Sequence, residues 1–497
     1  MNDAPQTIAL SLVSHTNAGK TTLARTLLVR DVGEVRDEPH VTEAAEPFTL
    51  METIAGDRLV LWDTPGFGDS LRLANRLERA ASPIGWLLAE VWDRYRDRPF
   101  WSSQQAVRNV REQADVVLYL VNAAEDPRTA AYVGPEMRIL DWIGKPVVVL
   151  LNQLGTPRAV AEEEADAQRW KAQLAGVGYP HDVLPLDAFA RCWVQEAALF
   201  STVEPLLPAD KRAAFARLRQ MWLAARRRTF ESAMEVLAQR LVRAATDSEP
   251  LPDDGLRGRL REVGTALGIG RNSTESPRQA AMQRLAERLD ADVRTTTDEL
   301  VTLHGLSGQA RSEIQARLAE HYAMHTPISE GKAALVGGAM TGAVAGLKAD
   351  LATGGMSFGA GLLTGSVLGA LGAAGLARGY NLVRGTTTAS VTWSDATLDQ
   401  VARSAVLAYL AVAHYGRGRG DWEQTEHPAH WQTTVDAALG ARRETLAHLW
   451  SMRVDADSTD YRAALSLELG DAMREVLAQL YPAAHIDAML PAREARP

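Results

Sequence analysis

The sequence predicts a doubly wound, mostly parallel α/β sheet followed by a mainly α-helical region that holds a glycine-rich helical hairpin. Three observations carry this expectation. An apolar run near the N-terminus, "IALSLV", passes through a glycine-containing turn into residues at helical spacing. Further short apolar runs then alternate with helical stretches up to roughly residue 190, the pattern of a parallel sheet. From Pro208 the composition shifts to helix formers, and glycines later recur every fourth residue.

The first strand spans Ile8 to Val13, and Leu23, Leu27 and Leu28 follow at helical spacing. Between them lies "SHTNAGKT", Ser14 to Thr21. Strand, turn and helix form the setting that a G-x-x-x-x-G-K-[ST] phosphate loop requires. Such a loop wraps backbone N–H groups around a polyphosphate at a helix N-terminus, where the dipole favours anions. Ala18, Gly19, Lys20, Thr21 and Thr22 are the nucleotide-binding candidates here. Gly19 permits close approach of the backbone, Lys20 reaches the outer phosphates, and the Thr21 hydroxyl is placed for Mg2+. Ser14 stands where a glycine usually opens the loop, and its small side chain allows the turn.

The next clear element is "RLVLWDTPGFGDS", a buried strand from Leu59 to Trp62 that runs into Asp63-Thr64-Pro65-Gly66. A carboxylate at that strand end can hold Mg2+ through water, and the Gly66 N–H can meet a terminal phosphate. Together the two motifs define an α/β P-loop NTPase head.

Through Asn17 in the loop and the "DTPGF" run, the sequence resembles the translation-factor-like GTPases, especially the Era and TrmE branch. The resemblance covers roughly residues 7 to 190. It implies binding of GTP and GDP with Mg2+, and slow hydrolysis of GTP by a molecular switch. It also implies a first-switch threonine that senses the terminal phosphate and completes the Mg2+ shell. Thr42 is the candidate for this role, while Thr49 begins the following strand. The resemblance thus assigns metal binding to Thr21, Thr42 and Asp63, and catalytic roles to Lys20, Thr42 and Gly66. Phe67 occupies the place of the water-orienting glutamine found in many GTPases, as an apolar residue does in this branch. Parts of the branch hold a potassium ion through the loop asparagine, in place of an arginine finger. Asn17 either does this or only hydrogen-bonds within the loop.

Ala114 to Pro127 and Lys145 to Gly155 read as two more buried strands, and a ligand is expected at the carboxyl ends of such strands. There the guanine-reading motif N-K-x-D is replaced by Asn152-Gln153-Leu154-Gly155. Loss of the bidentate aspartate removes about 1–3 kcal/mol of base discrimination, by analogy with base reading elsewhere. Asn152 and Gln153 remain as nucleotide-binding candidates. The last motif of the family is also absent, and "VLPLDAFARCW" (Val183 to Trp193) takes its place. Asp187 in that run either accepts hydrogen bonds from the guanine edge or caps a helix running through Phe189 to Trp193.

The segment from Phe67 to Gln113 is long and contains Trp86, Trp92 and Trp101. It reads as an enlarged second switch or as a surface insertion. Arg72, Arg76 and Arg79 are candidates for an internal arginine finger, although surface arginines are mostly solvated. Four domains follow from these shifts: an Era-like head over 1–200, a helical region over 201–330, a glycine-rich hairpin over 331–380, and a helical region over 381–497.

The hairpin has glycines at 338, 342 and 346 and again at 361, 365 and 369, a bare stripe that lets two helices approach closely. No charge occurs from Leu351 to Ala377, which is long enough to cross a bilayer. The segment is only weakly hydrophobic, so insertion at the inner membrane and a tightly packed soluble hairpin both remain open. A net charge of −9 does not favour nucleic acid, and neither "LGIGR" nor "GRGRGDW" has the setting of an RNA-binding module. The single cysteine, Cys192, excludes internal disulfides and reads as core. The chain enters its first strand almost at once, so no signal peptide is expected and the cytoplasm is the expected compartment. His414, His427 and His430 lack metal-ligand spacing. The whole reads as a slow GTPase switch, with a nucleotide-binding structural hairpin protein and an NTPase of relaxed base specificity as alternatives.

Overall fold

Strands with continuous apolar runs must be covered on both faces, and here they occupy the middle of the sheet. The computed structural model describes residues 4–15, 18–28, 46–67, 69–79, 98–154, 158–179, 181–186, 192–251, 277–306, 380–384, 389–415, 429–453 and 458–491. Asn17, Thr42, Asp187, Gly155, Trp86, Trp92, His427 and the glycine-rich segment up to residue 379 lie outside these residues. By contact the chain forms two units. The first is Met1–Arg228 with Ala413–Glu423 and Leu477–Pro491, and the second is Thr229–Val412 with Gln424–Val476 and Ala492–Pro497.

In the first unit β1 (Thr7–Ser14), β2 (Glu46–Glu52), β3 (Arg58–Asp63), β4 (Val116–Asn122), β5 (Val147–Asn152) and β6 (Asp182–Pro185) form one sheet in the order β2-β3-β1-β4-β5-β6. Every pairing is parallel except that of β2 with β3. Thr49 lies inside β2 and not at its start. Starting from β1, the chain builds β3 and β2 on one side and β4, β5 and β6 on the other. The direction of winding therefore reverses at β1, where a ligand crevice is expected at the carboxyl ends of the strands.

Helices α1 (Lys20–Leu28), α2 (Ser70–Glu78), α3 (Arg98–Gln113), α4 (Val133–Ile143) and α5 (Val160–Gly176) flank this sheet. α1 lies against β1, β2 and β3. A single buried cluster joins Leu73 and Leu77 of α2, Val107 and Val110 of α3, Met137 and Leu140 of α4 and Trp170 of α5 to Val13, Val117, Tyr119 and Leu151 of the strands. At 25 cal/mol per Å2, each fully buried Leu or Val side chain contributes about 1.5–3 kcal/mol.

Helix α6 spans Trp193–Val203. Its N-cap is Cys192, whose backbone N–H donates to the Gln195 side-chain oxygen at 3.0 Å. Most of the helix expected through Phe189 to Trp193 lies outside the described residues, and Cys192 itself is extended. Cys192 is buried. Phe200 of α6 meets Phe215 and Trp222 of α7 (Arg212–Thr246) edge-on, at centroid distances of 6.0 and 5.1 Å. Two ion pairs attach the start of α7 to the opposite end of the sheet from the strand carboxyl ends. Lys211 donates to both oxygens of Asp115 at 2.8 Å, and Arg217 makes a bidentate pair with Asp57 at 2.7 and 2.9 Å.

The second unit contains the later part of α7, α8 (Pro277–Leu303), α9 (Asp395–Ala413, to Val412), α10 (Ala429–Gly440), α11 (Arg443–Met452) and α12 (Ser458–Leu480, to Val476). It also contains a small antiparallel sheet that the helical expectation missed: β7 (Ser248–Pro250), β8 (Tyr380–Arg384) and β9 (Ala389–Trp393), in the order β7-β9-β8. The buried Arg240 of α7 donates to the Val401 carbonyl at 3.1 Å and the Ser404 hydroxyl at 2.6 Å on α9. Trp450 donates to Asp399 at 2.8 Å, fixing α11 to α9. No helix among the described residues is long and apolar enough to cross a membrane.

Asp57 is fully buried, and the Arg217 guanidinium holds its carboxyl below the usual carboxylate range against the opposing effect of burial. Folding thus favours the ionised form. The resulting stabilisation is present above the unfolded pKa of about 4 and is lost as pH falls through the lower folded value. Replacing Asp57 with asparagine is expected to lower the unfolding free energy by about 1–3 kcal/mol at pH 7, with a difference from the native chain that shrinks below about pH 4. Denaturant titrations at the two pH values check this.

Candidate functional site

β1 and β3 end side by side, and the loops that follow them stay in register. Phe67 N–H donates to the Ser14 carbonyl at 3.0 Å, and His15 and Phe67 form an isolated parallel bridge beyond the two strands. The Thr64 hydroxyl donates to the Leu12 carbonyl. The phosphate-loop motif and the D-T-P-G motif are thus held together by backbone contacts, with Phe67 fully buried beneath them.

Gly19 has a left-handed φ of +82° just before α1. A Cβ at this position would lie 2.5 Å from Nδ2 of Asn152. That amide donates to the Ala18 carbonyl at 2.8 Å, and both residues are buried. Asn152 therefore clamps the loop from the end of β5, and Gly19 provides the space for it. Gln153, in the lysine position of the guanine motif, has φ +59°, and its amide nitrogen also lies near the Gly19 turn.

Charge collects at the same point. Lys20 is buried, and its ammonium donates to Ser14 Oγ at 2.9 Å. Burial pushes its pKa down, while the charges of Asp63 and Glu136 pull it up. Ser14, the residue that departs from the loop pattern, is thus the acceptor for this ammonium. The Thr21 hydroxyl donates to Asp63 Oδ2 at 2.6 Å. A hydroxyl at a helix N-terminus and a carboxylate at a strand end, already in contact, are hard oxygen donors of the kind Mg2+ takes. These two residues fit that ion.

Sequence reasoning missed Glu136. Its carboxylate is fully buried on α4, 2.8 Å from His15 Nδ1, and accepts from the Tyr119 hydroxyl at 2.6 Å. Its pKa is raised by burial, and hydrogen bonds from His15, Tyr119 and Ser70 oppose the rise. A signal was present. Val133, Glu136 and Leu140 share one face of α4, so a charge sits on its apolar stripe.

Ala18 and Thr22 are buried within the loop and α1, and Gly66 is buried at the turn after β3. The structure therefore brings together Ala18, Gly19, Lys20, Thr21, Thr22, Asp63, Gly66, Asn152 and Gln153. Of the arginine-finger candidates, Arg72 is exposed, pairing with Asp69 at 3.9 Å, and Arg79 is exposed.

Residues 172–480 match the family described as "Domain of unknown function (DUF3482)". The chain belongs to the DUF3482 family. The DUF3482 match begins within α5 and ends at the last residue of α12, so it includes the small antiparallel sheet. Ahead of it, residues 9–153 match the family described as "50S ribosome-binding GTPase". A GTPase domain of α/β P-loop fold is thus joined to the DUF3482 region. The GTPase Der of Mycobacterium avium and that of Mycolicibacterium paratuberculosis are each 29% identical over 180 residues, 36% of this chain. The chain spans 31% of the length of these curated relatives. Among solved structures, it is similar to Era in complex with MgGDPNP and a segment of 16S ribosomal RNA (18% identity, TM-score 0.30, 41% of this chain and 58% of that one). It is also similar to a variant of Aquifex aeolicus Era bound to GDP.AlF4- (20% identity, TM-score 0.28, 41% and 57%).

The DUF3482 protein with Asn152 replaced by alanine loses the clamp on the Ala18 carbonyl and leaves that buried acceptor without this donor. Its affinity for GTP and GDP is expected to fall together, by about tenfold. Calorimetric titration of both nucleotides into the two forms checks this.

Proposed function

We propose that the head of this protein binds GTP with Mg2+ and hydrolyses it slowly as a molecular switch. The observation that carries the reading is the convergence of Lys20, Thr21 and Asp63 at the carboxyl ends of β1 and β3, with Lys20 buried and Thr21 in contact with Asp63. In this reading Lys20 turns from Ser14 to the outer phosphates, and Thr21 and Asp63 hold Mg2+, which supplies charge neutralisation at the phosphates. The loop N–H groups from Ala18 to Thr22 hold the phosphate chain, and the Gly66 N–H meets its terminal group. A water oxygen bonds to the γ-phosphorus while the bond to the bridging oxygen breaks, releasing GDP and inorganic phosphate. Thr42 completes the switch from the first loop.

Slow turnover follows from Phe67. It is apolar and fully buried, so it offers no hydrogen bond to orient water. Asn17 holds potassium in this reading, and Asp187 reads the base in place of the missing aspartate. The relatives named GTPase Der and the GTPase family match over residues 9–153 support guanine as the base.

Turnover of the intact protein with GTP and with ATP tests the reading. GTP hydrolysis is expected on the order of 10^-3 per second, typical of a head without an arginine finger, with ATP slower. Lys20→Ala and Thr21→Ala are each expected to abolish tight triphosphate binding. Unchanged affinity in either variant would contradict the site, and equal turnover of ATP would contradict guanine selection.

A further inference from the structure

One layer behind the phosphate loop lies a carboxylate for which no nucleotide motif accounts. Taking a carboxylate out of water is strongly unfavourable unless hydrogen bonds satisfy its oxygens. Glu136 is fully buried, and its partners come from three separate parts of the head. His15 belongs to the phosphate loop and approaches Oε1 at 2.8 Å. Tyr119 belongs to β4 and donates to Oε2 at 2.6 Å. Ser70 opens α2, directly after the D-T-P-G segment, and its hydroxyl bonds the same carboxylate. The His15 ring is fixed from a second side, stacked on Tyr132 at a centroid distance of 4.4 Å and an interplanar angle of 17°. The Tyr132 hydroxyl in turn donates to Glu125 at 3.0 Å.

His15 and Ser70 bracket the nucleotide machinery. The first lies in the loop that would hold the α- and β-phosphates. The second ends the segment whose Gly66 would meet the γ-phosphate. We propose that Glu136 is a positioning residue that locks the phosphate loop and the second-switch segment into one arrangement, so that both address the same triphosphate. The inference rests on the phosphate-loop reading above. A diphosphate needs only the loop, whereas a triphosphate needs the loop and Gly66 together. Glu136 therefore bears on the difference between GTP and GDP affinity. An effect exerted only through its charge on Lys20 would change both affinities alike.

The test measures dissociation constants for GDP and for a non-hydrolysable GTP analogue in the intact chain, in Glu136→Gln, in His15→Ala and in the double variant. His15 has a side chain 32% exposed, so its replacement keeps the test available if Glu136→Gln fails to fold. The analogue-to-GDP affinity ratio is expected to fall about tenfold in each single variant, the loss of one hydrogen bond to a charged group. The double variant is expected to fall no further than Glu136→Gln alone, because the His15 contact is one of those that this substitution already alters. An unchanged ratio in the single variants, or an equal loss of both nucleotides, would overturn the positioning role while leaving the phosphate-loop reading intact. Absence of nucleotide binding by the unaltered chain would overturn that reading and the positioning role with it.

Discussion

An ammonium group removed from water has to be surrounded by oxygen, and the head of this protein is arranged around one such group. Lys20 is buried at the first residue of α1, bonded to Ser14 and within the field of Asp63 and Glu136. Burial alone would favour the neutral amine, and the two carboxylates counter it. Each of these oxygens arrives from a different element: Ser14 from β1, Asp63 from β3, Glu136 from α4. The sheet order places β1 beside β3, so the carboxyl ends of these two strands meet at the site. The fold is therefore a means of delivering counter-charge to one lysine, and the same delivery leaves the lysine poised for an anion.

The glycine before Lys20 completes the arrangement. Its left-handed backbone turns the Ala18 carbonyl toward the Asn152 amide, and its missing side chain leaves room for that amide. A loop that binds phosphate through its own N–H groups cannot use them to hold its own shape. It has to be shaped through its carbonyls and by neighbours, and here Asn152, Phe67 and the His15–Glu136 pair do so.

What was legible in the sequence follows from the same physics. The strands β1, β4 and β5 were readable because a strand buried on both faces must be continuously apolar, and β3 because its apolar run leads into the D-T-P-G motif. Gly19, Lys20, Thr21 and Asp63 were readable because phosphate and magnesium chemistry constrain residue type and spacing together. Asn152 was readable as a position, but its bond to Ala18 spans 134 residues and has no local signature. Ser14 looked like a tolerated departure, and its contact with the Lys20 ammonium had no signature in the sequence. Glu136 left a faint trace, a charge on an apolar helix stripe, with partners 17 and 121 residues away. The strand β7 is three residues long and reads "SEP", too short to show alternation, and its pairing with β9 is entirely non-local.

The central claim is that Lys20, Thr21 and Asp63 form one receptor for a magnesium-bound triphosphate. A crystal structure of the intact protein grown with Mg2+ and a non-hydrolysable GTP analogue tests it most directly. The account predicts that the Thr21–Asp63 hydrogen bond, now 2.6 Å, is replaced by a shared ion, and that Lys20 leaves Ser14 for a phosphate oxygen. Nucleotide bound elsewhere, with Lys20 still on Ser14 and Thr21 still on Asp63, would contradict it.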